Sequence, residues 1–248
     1  MLKSLAALFA LSLALAPSAR AAGVNLAWDN CAGAGGAHDM TFACDTNVGS
    51  HTFVASFVAP SGITKYVSNE GTVELLADAS TLPTWWQIKG STQCRNGAAT
   101  GDANFASGPF GCTDLWSGAA SGAFASYNVG YLAPNRSRFN LVFAVPAALA
   151  QPLNEGQEYY AFKVTIQNTR TIGTGSCAGC SIGACLACTR INVVQPNGTP
   201  GGNVTLVSPA RSNLVLWNQV PYSLCTGTDG GWVPARGTTW GQIKSLYR

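Results

Sequence analysis

Nine cysteines constrain the fold of this chain most strongly, because the sequence begins with a segment typical of exported proteins. Lys3 precedes an apolar run over residues 5–16, and Ala19-Arg20-Ala21 supplies the small residues that signal peptidases recognise. We therefore predict a signal peptide over residues 1–21. Cysteines form disulfides in the oxidising compartments that such proteins reach. We expect a secreted or cell-surface protein, in the periplasm or outside the cell.

Eight cysteines are disulfide candidates and one is left over. The candidates are Cys31, Cys44, Cys94, Cys112, Cys177, Cys180, Cys185 and Cys225. The first four form two neighbouring pairs that each bracket a glycine-rich loop, so pairing between neighbours is the simplest expectation, although sequence does not define connectivity. Cys188 is the candidate free thiol, because a predicted strand follows it and would bury it.

The tightest cysteine cluster leaves three interpretations open. It consists of Cys177, Cys180, Cys185 and Cys188. A disulfide-knotted loop is favoured. A thiolate metal site would use the same four residues, but only four residues separate the two C-x-x-C pairs, against about 15–20 in the usual zinc pattern. Redox chemistry would need a βαβ context that the sequence lacks. We predict no metal and no cofactor, with thiolate metal binding kept as the alternative.

Short alternating segments separated by Gly, Pro, Asn and Ser clusters predict an all-β fold. The candidate strands cover residues 24–28, 51–59, 72–76, 139–145, 159–167, 191–194, 204–207 and 214–217. This pattern favours an antiparallel β-sandwich of the immunoglobulin-like, cohesin-like or jelly-roll kind, with long cystine-stapled loops.

The sequence divides into a main sandwich domain over residues 22–196, a segment over 197–237, and a tail over 238–248. The middle segment follows a Pro/Gly-rich stretch and contains further strands, which form either an appendage or part of the same sandwich. In the tail, Trp240, Ile243, Leu246 and Tyr247 share one face at helical spacing. We predict a short C-terminal helix that either packs on the sandwich or docks on an export or surface component.

Charge is scarce, at 10% of the chain. Without Lys3 and Arg20 the mature chain has 12 basic and 11 acidic residues. The basic residues are scattered, and Arg136 with Arg138 is the nearest approach to a cluster, which argues against nucleic-acid binding. No apolar segment after the signal is long enough to span a membrane.

No residue pattern identifies a catalytic site. The chain has only two histidines, no G-x-S-x-G motif, and few carboxylates. Trp85-Trp86 and Tyr159-Tyr160 are the ligand-facing candidates, because consecutive residues of a strand point to opposite faces and one of each pair would be exposed. An exposed aromatic ring is a platform for stacking a sugar.

Several motifs together resemble a group of uncharacterised secreted bacterial proteins, cystine-containing β-sandwiches with a similar tail. They are Trp28-Asp29-Asn30-Cys31, Phe42-Ala43-Cys44, Leu82-Pro83-Thr84-Trp85-Trp86-Gln87, the segment 173–180, and the closing segment 239–248. The resemblance implies compartment and architecture, and no activity. By fold class alone, the pattern is also similar to cohesin-like and carbohydrate-binding sandwiches.

The sequence favours a non-enzymatic secreted or cell-surface module for binding or adhesion. Its expected partner is an extracellular ligand, either a polysaccharide or a surface protein. The alternatives are an extracellular carbohydrate-active hydrolase and a thiolate metal-binding protein.

Overall fold

A computed structural model describes residues 21–31, 36–106 and 111–225. Over these ranges the chain forms β1 (Gly23–Trp28), β2 (Asp39–Met40), β3 (Ser50–Val58), β4 (Ser68–Ala77), β5 (Ala99–Asp102), β6 (Ser121–Val129), β7 (Arg136–Ala144), β8 (Glu158–Gln167), β9 (Ala184–Val194), β10 (Val204–Leu206), β11 (Leu214–Trp217) and the helical turn α1 (Tyr222–Cys225). Two short 3₁₀ helices cover Thr84–Trp86 and Ala147–Leu149. The predicted all-β class is confirmed. Residues 1–20 of the predicted signal peptide and the predicted tail helix (238–248) lie outside the described residues.

The strands form two sheets that pack face to face as a β-sandwich. The smaller sheet has the order β1-β3-β8-β5, and the larger sheet has the order β2-β11-β9-β4-β7-β6, with β10 also paired to β9. The pairings are antiparallel except for a two-residue parallel pairing between β11 and β2. No helix of the described residues is long and apolar enough to cross a membrane.

Alternation along the strands sends one set of side chains into the core between the sheets. In β3, Phe53 and Phe57 are buried there, and in β4 the inward positions are Gly71, Val73 and Leu75. A Cβ atom on Gly71 would lie 2.1 Å from the Phe162 ring of the opposite sheet. Glycine therefore stands in the centre of β4 because the facing aromatic ring occupies the space of a side chain.

The strands that follow the Pro/Gly-rich stretch belong to the larger sheet. β10 pairs with the C-terminal half of β9 and β11 with its N-terminal half. Beyond β11, α1 packs on an apolar patch of the outer face that contains Leu214 and Leu216. The Cys185–Cys225 disulfide fixes α1 to β9.

Candidate functional site

The outer faces of the two sheets differ in how they are covered. On the smaller sheet, Phe105 and Cys112 of the loop after β5 are buried against Val54 and pack on Tyr160. The Cys31–Cys112 disulfide fixes this loop to the end of β1. On the larger sheet, α1 covers only the end near β11, and a groove lies open across the middle of the face.

The groove has a volume of about 400 Å³ and crosses β7, β4 and β9. Strand register places Arg138 beside Glu74 and Asn140 beside Thr72, with Arg190 on the far side of Thr72. The lining consists of these five residues together with Arg136, Thr189, Leu132 and Val207.

Hydrogen bonds between neighbouring strands hold the uncharged side chains of the groove. The Asn140 amide donates to Ser126 Oγ at 2.8 Å and accepts from Thr72 Oγ1 at 3.1 Å. In the next row of the face, the Asn192 amide donates to a Glu70 carboxylate oxygen at 3.1 Å. Because both partners of each bond lie on a sheet, these groups are already positioned before any ligand arrives.

Arg138 is held from two sides. Its Nε donates to Glu74 Oε1 at 3.1 Å and its Nη2 donates to the same oxygen, while the guanidinium lies 3.5 Å from the centre of the Tyr131 ring. Glu74 is 5% exposed, whereas the Arg138 side chain is 26% exposed, so only the carboxylate side of this ion pair is sheltered from water. The lining also contains two further arginines, Arg136 and Arg190.

A β-bulge directs two consecutive residues toward the groove. The register between β4 and β9 shifts so that Thr72 pairs with Arg190 while Val73 pairs with Cys188. Thr189 is therefore the extra residue, and its hydroxyl lies 3.5 Å from the Thr72 carbonyl. Bulges commonly redirect a side chain next to a functional site. Here the bulge lets Thr189 and Arg190 both line the groove.

Two apolar side chains on the groove lining are exposed. Leu132, in the turn between β6 and β7, is 74% exposed, and Val207, just after β10, is 61% exposed. Leu132 also has a φ of 62°, a left-handed conformation that favours glycine or asparagine. Leu132 is therefore both exposed and held in an unfavourable backbone conformation.

The structure contradicts the prediction that one residue of Trp85-Trp86 faces a ligand. The two residues lie in a 3₁₀ helix, not in a strand, and both are fully buried. Their rings contact each other and Trp217, with ring centres 4.8–5.2 Å apart. The alternation argument fails because it applies only to an extended backbone.

The tyrosine pair is also placed differently from the prediction. Tyr159 is buried at the core face of β8, where its hydroxyl accepts a hydrogen bond from the Asn154 backbone at 2.8 Å. Tyr160 is half-buried on the outer face, but its ring packs against Phe105 of the covering loop, 5.8 Å between ring centres. Neither tyrosine lines the groove.

The disulfides join segments that are distant in sequence, so the expectation of pairing between neighbours is wrong. The bonds are Cys31–Cys112, Cys44–Cys180, Cys94–Cys177 and Cys185–Cys225. Each cysteine pairs with the one that the fold brings to it. Cys44 and Cys94, for example, both bond to the segment between β8 and β9.

This connectivity also rules out the four-thiolate metal site. Cys177, Cys180 and Cys185 each have a separate disulfide partner elsewhere in the chain. Cys188 is a free and fully buried thiol on the core face of β9. Burial raises the pKa of Cys188 to about 12, against a smaller opposing effect of a hydrogen bond with the Arg190 backbone. The cluster therefore has a structural role, because three of its cysteines bond to three distant segments of the chain.

The two carboxylates of β4 that share the outer face do not form a hydrolytic pair. Glu70 and Glu74 are four residues apart in an extended strand, which separates their backbone positions by roughly 13 Å. Glycosidases need two carboxyl groups about 5–10 Å apart. Glu74 is bonded to Arg138 and Glu70 to Asn192.

No protein-family model and no curated protein matches the chain. The solved structures that are similar to it at a low level include the following two. The second type II cohesin module from the cellulosomal adaptor ScaA scaffoldin of Acetivibrio cellulolyticus has a TM-score of 0.30 and 9% identity, over 82% of this chain and 99% of that chain. ACE19, the collagen binding subdomain of the Enterococcus faecalis surface protein ACE, has a TM-score of 0.22 and 9% identity, over 73% of this chain and 94% of that chain. At these scores neither likeness identifies a function.

Proposed function

We propose that the protein is a secreted or cell-surface, non-enzymatic binding module that holds its ligand in the groove of the larger sheet. One observation carries the proposal: the polar side chains of the groove are fixed on a rigid sheet by hydrogen bonds across strands. Thr72, Asn140 and Arg138 are examples. A site organised in this way loses little conformational entropy when it binds, which favours affinity.

Two further observations support this proposal over the alternatives. Four disulfides suit a protein that matures in an oxidising compartment and works outside the cytoplasm. The groove offers donors, acceptors and cations, whereas the separation of Glu70 and Glu74 does not suit acid–base hydrolysis.

The proposal is tested with the mature protein on an immobilised panel of extracellular polysaccharides and surface proteins. Wild type is compared with Arg190→Ser, which removes an exposed groove cation, and with Arg211→Ser, which removes an exposed cation outside the groove lining. Both variants change the net charge equally. Product release from each polysaccharide is measured in parallel.

Binding that Arg190→Ser weakens and Arg211→Ser leaves unchanged would support the groove as the binding site. Binding that both variants leave unchanged would place the site elsewhere and overturn the proposal. Turnover of a polysaccharide would replace the binding module with the hydrolase.

A further inference from the structure

We propose that β6 is an interface for a second copy of this chain, which pairs with it antiparallel across a twofold axis and joins the two larger sheets into one. β6 (Ser121–Val129) is the last strand of the larger sheet, so its edge away from β7 has no neighbouring strand. Three features point to this partner: the open backbone of the edge, its lack of charge, and the side chains that the symmetry brings together.

The backbone of β6 is open along the edge away from β7. Within residues 21–31, 36–106 and 111–225, the hydrogen bonds to the backbone of β6 come from β7 alone. The ends of the strand are also exposed, and Val129 is 39% exposed. A row of backbone N–H and C=O groups without protein partners is a template for another strand.

The other edges of the two sheets are covered, short or charged. Residues 208–212 run along the outer edge of β1, and their carbonyls accept from the Val24 and Leu26 amides at 2.9 and 2.8 Å. β5 has four residues and ends at Asp102, while β2 has two residues and β10 has three. Proteins use these features to prevent strands of different molecules from pairing. β6 has nine residues and contains neither a charged residue nor a proline.

The two faces of β6 define the register of the proposed pair. Ala125 is the extra residue of a bulge, so Phe124 and Tyr127 both lie toward the core, while Ala123 and Asn128 lie on the outer face. Residues directly opposite each other in an antiparallel pair share a face. Setting Phe124 opposite Tyr127 of the second copy, and Ala123 opposite its Asn128, satisfies this condition over the whole strand and places the two bulges at the axis.

This register is complementary to itself. The twofold axis creates two aromatic pairs between Phe124 and Tyr127, and cross-strand aromatic pairs each contribute about 0.2–1 kcal/mol. Because β6 carries no charge, no like charges from the strand meet across the axis. A foreign strand would not require this neutrality, since opposite charges would strengthen its binding. The neutral edge therefore favours a second copy over a foreign strand.

The size of the edge sets the expected strength of the dimer. Nine residues extend over about 30 Å, and two packed sheets give the edge a width of about 20 Å. Each copy would bury on the order of 600 Å², which places the total at the lower end of specific interfaces. We therefore expect a weak dimer, with a dissociation constant of about 10–100 μM.

The symmetry also places both grooves on one side of the dimer. Opposite residues share a face, so the axis is perpendicular to the sheet and both outer faces point the same way. The two β7 strands would lie roughly 14 Å apart and the two β4 strands roughly 24 Å apart. The dimer would therefore bind a repetitive surface through two sites at once. This consequence rests on the proposed binding function, whereas the dimer itself does not.

The test measures self-association of the mature protein without any ligand. Sedimentation equilibrium covers concentrations from about 1 to 500 μM, on both sides of the expected dissociation constant. The variant Ala123→Glu/Asn128→Glu sets like charges opposite each other twice across the axis, and Ala123→Lys/Asn128→Glu sets opposite charges there. Val48→Glu/Ile172→Glu adds two negative charges at exposed positions of other loops and serves as the control. The unfolding midpoint of each variant checks the fold.

We expect wild type to approach twice the monomer mass at the highest concentration, and the amide hydrogens of β6 to exchange more slowly there. The Glu/Glu variant should raise the dissociation constant at least tenfold, while the Lys/Glu variant and the control should stay within about threefold of wild type.

A monomer at all concentrations would overturn the inference, as would a dimer that the Glu/Glu variant leaves unchanged. Equal weakening by the Glu/Glu and Lys/Glu variants would overturn the proposed register. None of these results depends on a ligand, so the groove could still bind its ligand as proposed even if the protein proved to be monomeric.

Discussion

Arg95 should contribute more to stability than any exposed arginine of this protein. The residue is 1% exposed, and its guanidinium lies 3.7 Å from the centre of the Trp85 ring. It donates to the Thr169 carbonyl at 2.9 Å, to the Trp85 carbonyl at 2.8 Å, and to the Gln167 carbonyl. It therefore joins the loop after β4 to the end of β8. Burial lowers the pKa of Arg95 to about 10, so the group stays charged at neutral pH.

The cost of Arg95→Ala follows from these contacts. A hydrogen bond from a charged donor contributes about 1.5 kcal/mol or more, and three are lost. The lost ring contact adds about 1 kcal/mol, and relief from burying a charge offsets part of the total. We expect the free energy of unfolding to fall by about 3–5 kcal/mol. Arg95→Lys should cost roughly half as much, because an ammonium keeps the charge but cannot match the planar, forked geometry.

Denaturant unfolding of the disulfide-intact protein, followed by tryptophan fluorescence, measures these differences. Arg211→Ala is the matched control, and its effect should stay within about 0.5 kcal/mol because the residue is exposed. If Arg95→Ala cost no more than Arg211→Ala, the buried guanidinium would not join the two segments as argued.

Three further predictions follow from buried groups. Burial lowers the pKa of His51 below 6.5, against a smaller opposing effect of Asp29, so the unfolded chain binds this proton first. Stability should therefore fall as pH drops from about 7.5 to 5, and His51→Phe should reduce that fall in unfolding free energy measured at both pH values. Cys188 should resist iodoacetamide in the native protein and react once per chain after unfolding without reduction, by intact mass; a second labelled thiol would contradict the four disulfides. Replacing Cys185 and Cys225 together with serine should lower stability by about 4 kcal/mol, since that disulfide closes a loop of about 40 residues, and should raise binding of a hydrophobic dye at the patch under α1. A double-serine variant as stable as wild type would show that the Cys185–Cys225 disulfide does not stabilise the fold.

Strands with a clear alternation were predictable from sequence. β8 is an example of a strand that was predictable while its two faces were not. Ala161 and Phe162 are consecutive and both lie in the core, because the register between β3 and β8 shifts there and Ala161 is the extra residue of a bulge. β6 was not predictable, since Ser121–Val129 is an edge strand with few branched or large apolar residues. The first half of β9 was not predicted as a strand, for another reason. Its cysteines indicated a knotted loop, whereas the structure makes Cys185–Cys188 part of a strand.

The groove lining could be predicted only in small part from the sequence. The strand predicted from the sequence begins at residue 139 and includes Asn140 but neither Arg136 nor Arg138, whereas β7 begins at Arg136 and places all three on one face. Arg190 joins them only through the pairing of β4 with both neighbours and through the bulge at Thr189, and residue spacing specifies neither. The disulfide connectivity was not predictable for the same reason, because it depends on which segments of the chain lie close together in the folded protein.

Strand β4 takes part in both the core and the groove. β4 lies between β7 and β9 in the larger sheet. Its residue Gly71 faces the Phe162 ring in the core, and the next residue, Thr72, faces the groove. A side chain at position 71 would push against a ring that cannot easily move, and a shift of β4 would carry Thr72 and Glu74 with it. Gly71→Ala should therefore disturb the hydrogen bonds with Asn140 and Arg138 without touching either residue. Packing between the sheets thus sets the geometry of the binding face as well as the stability of the fold.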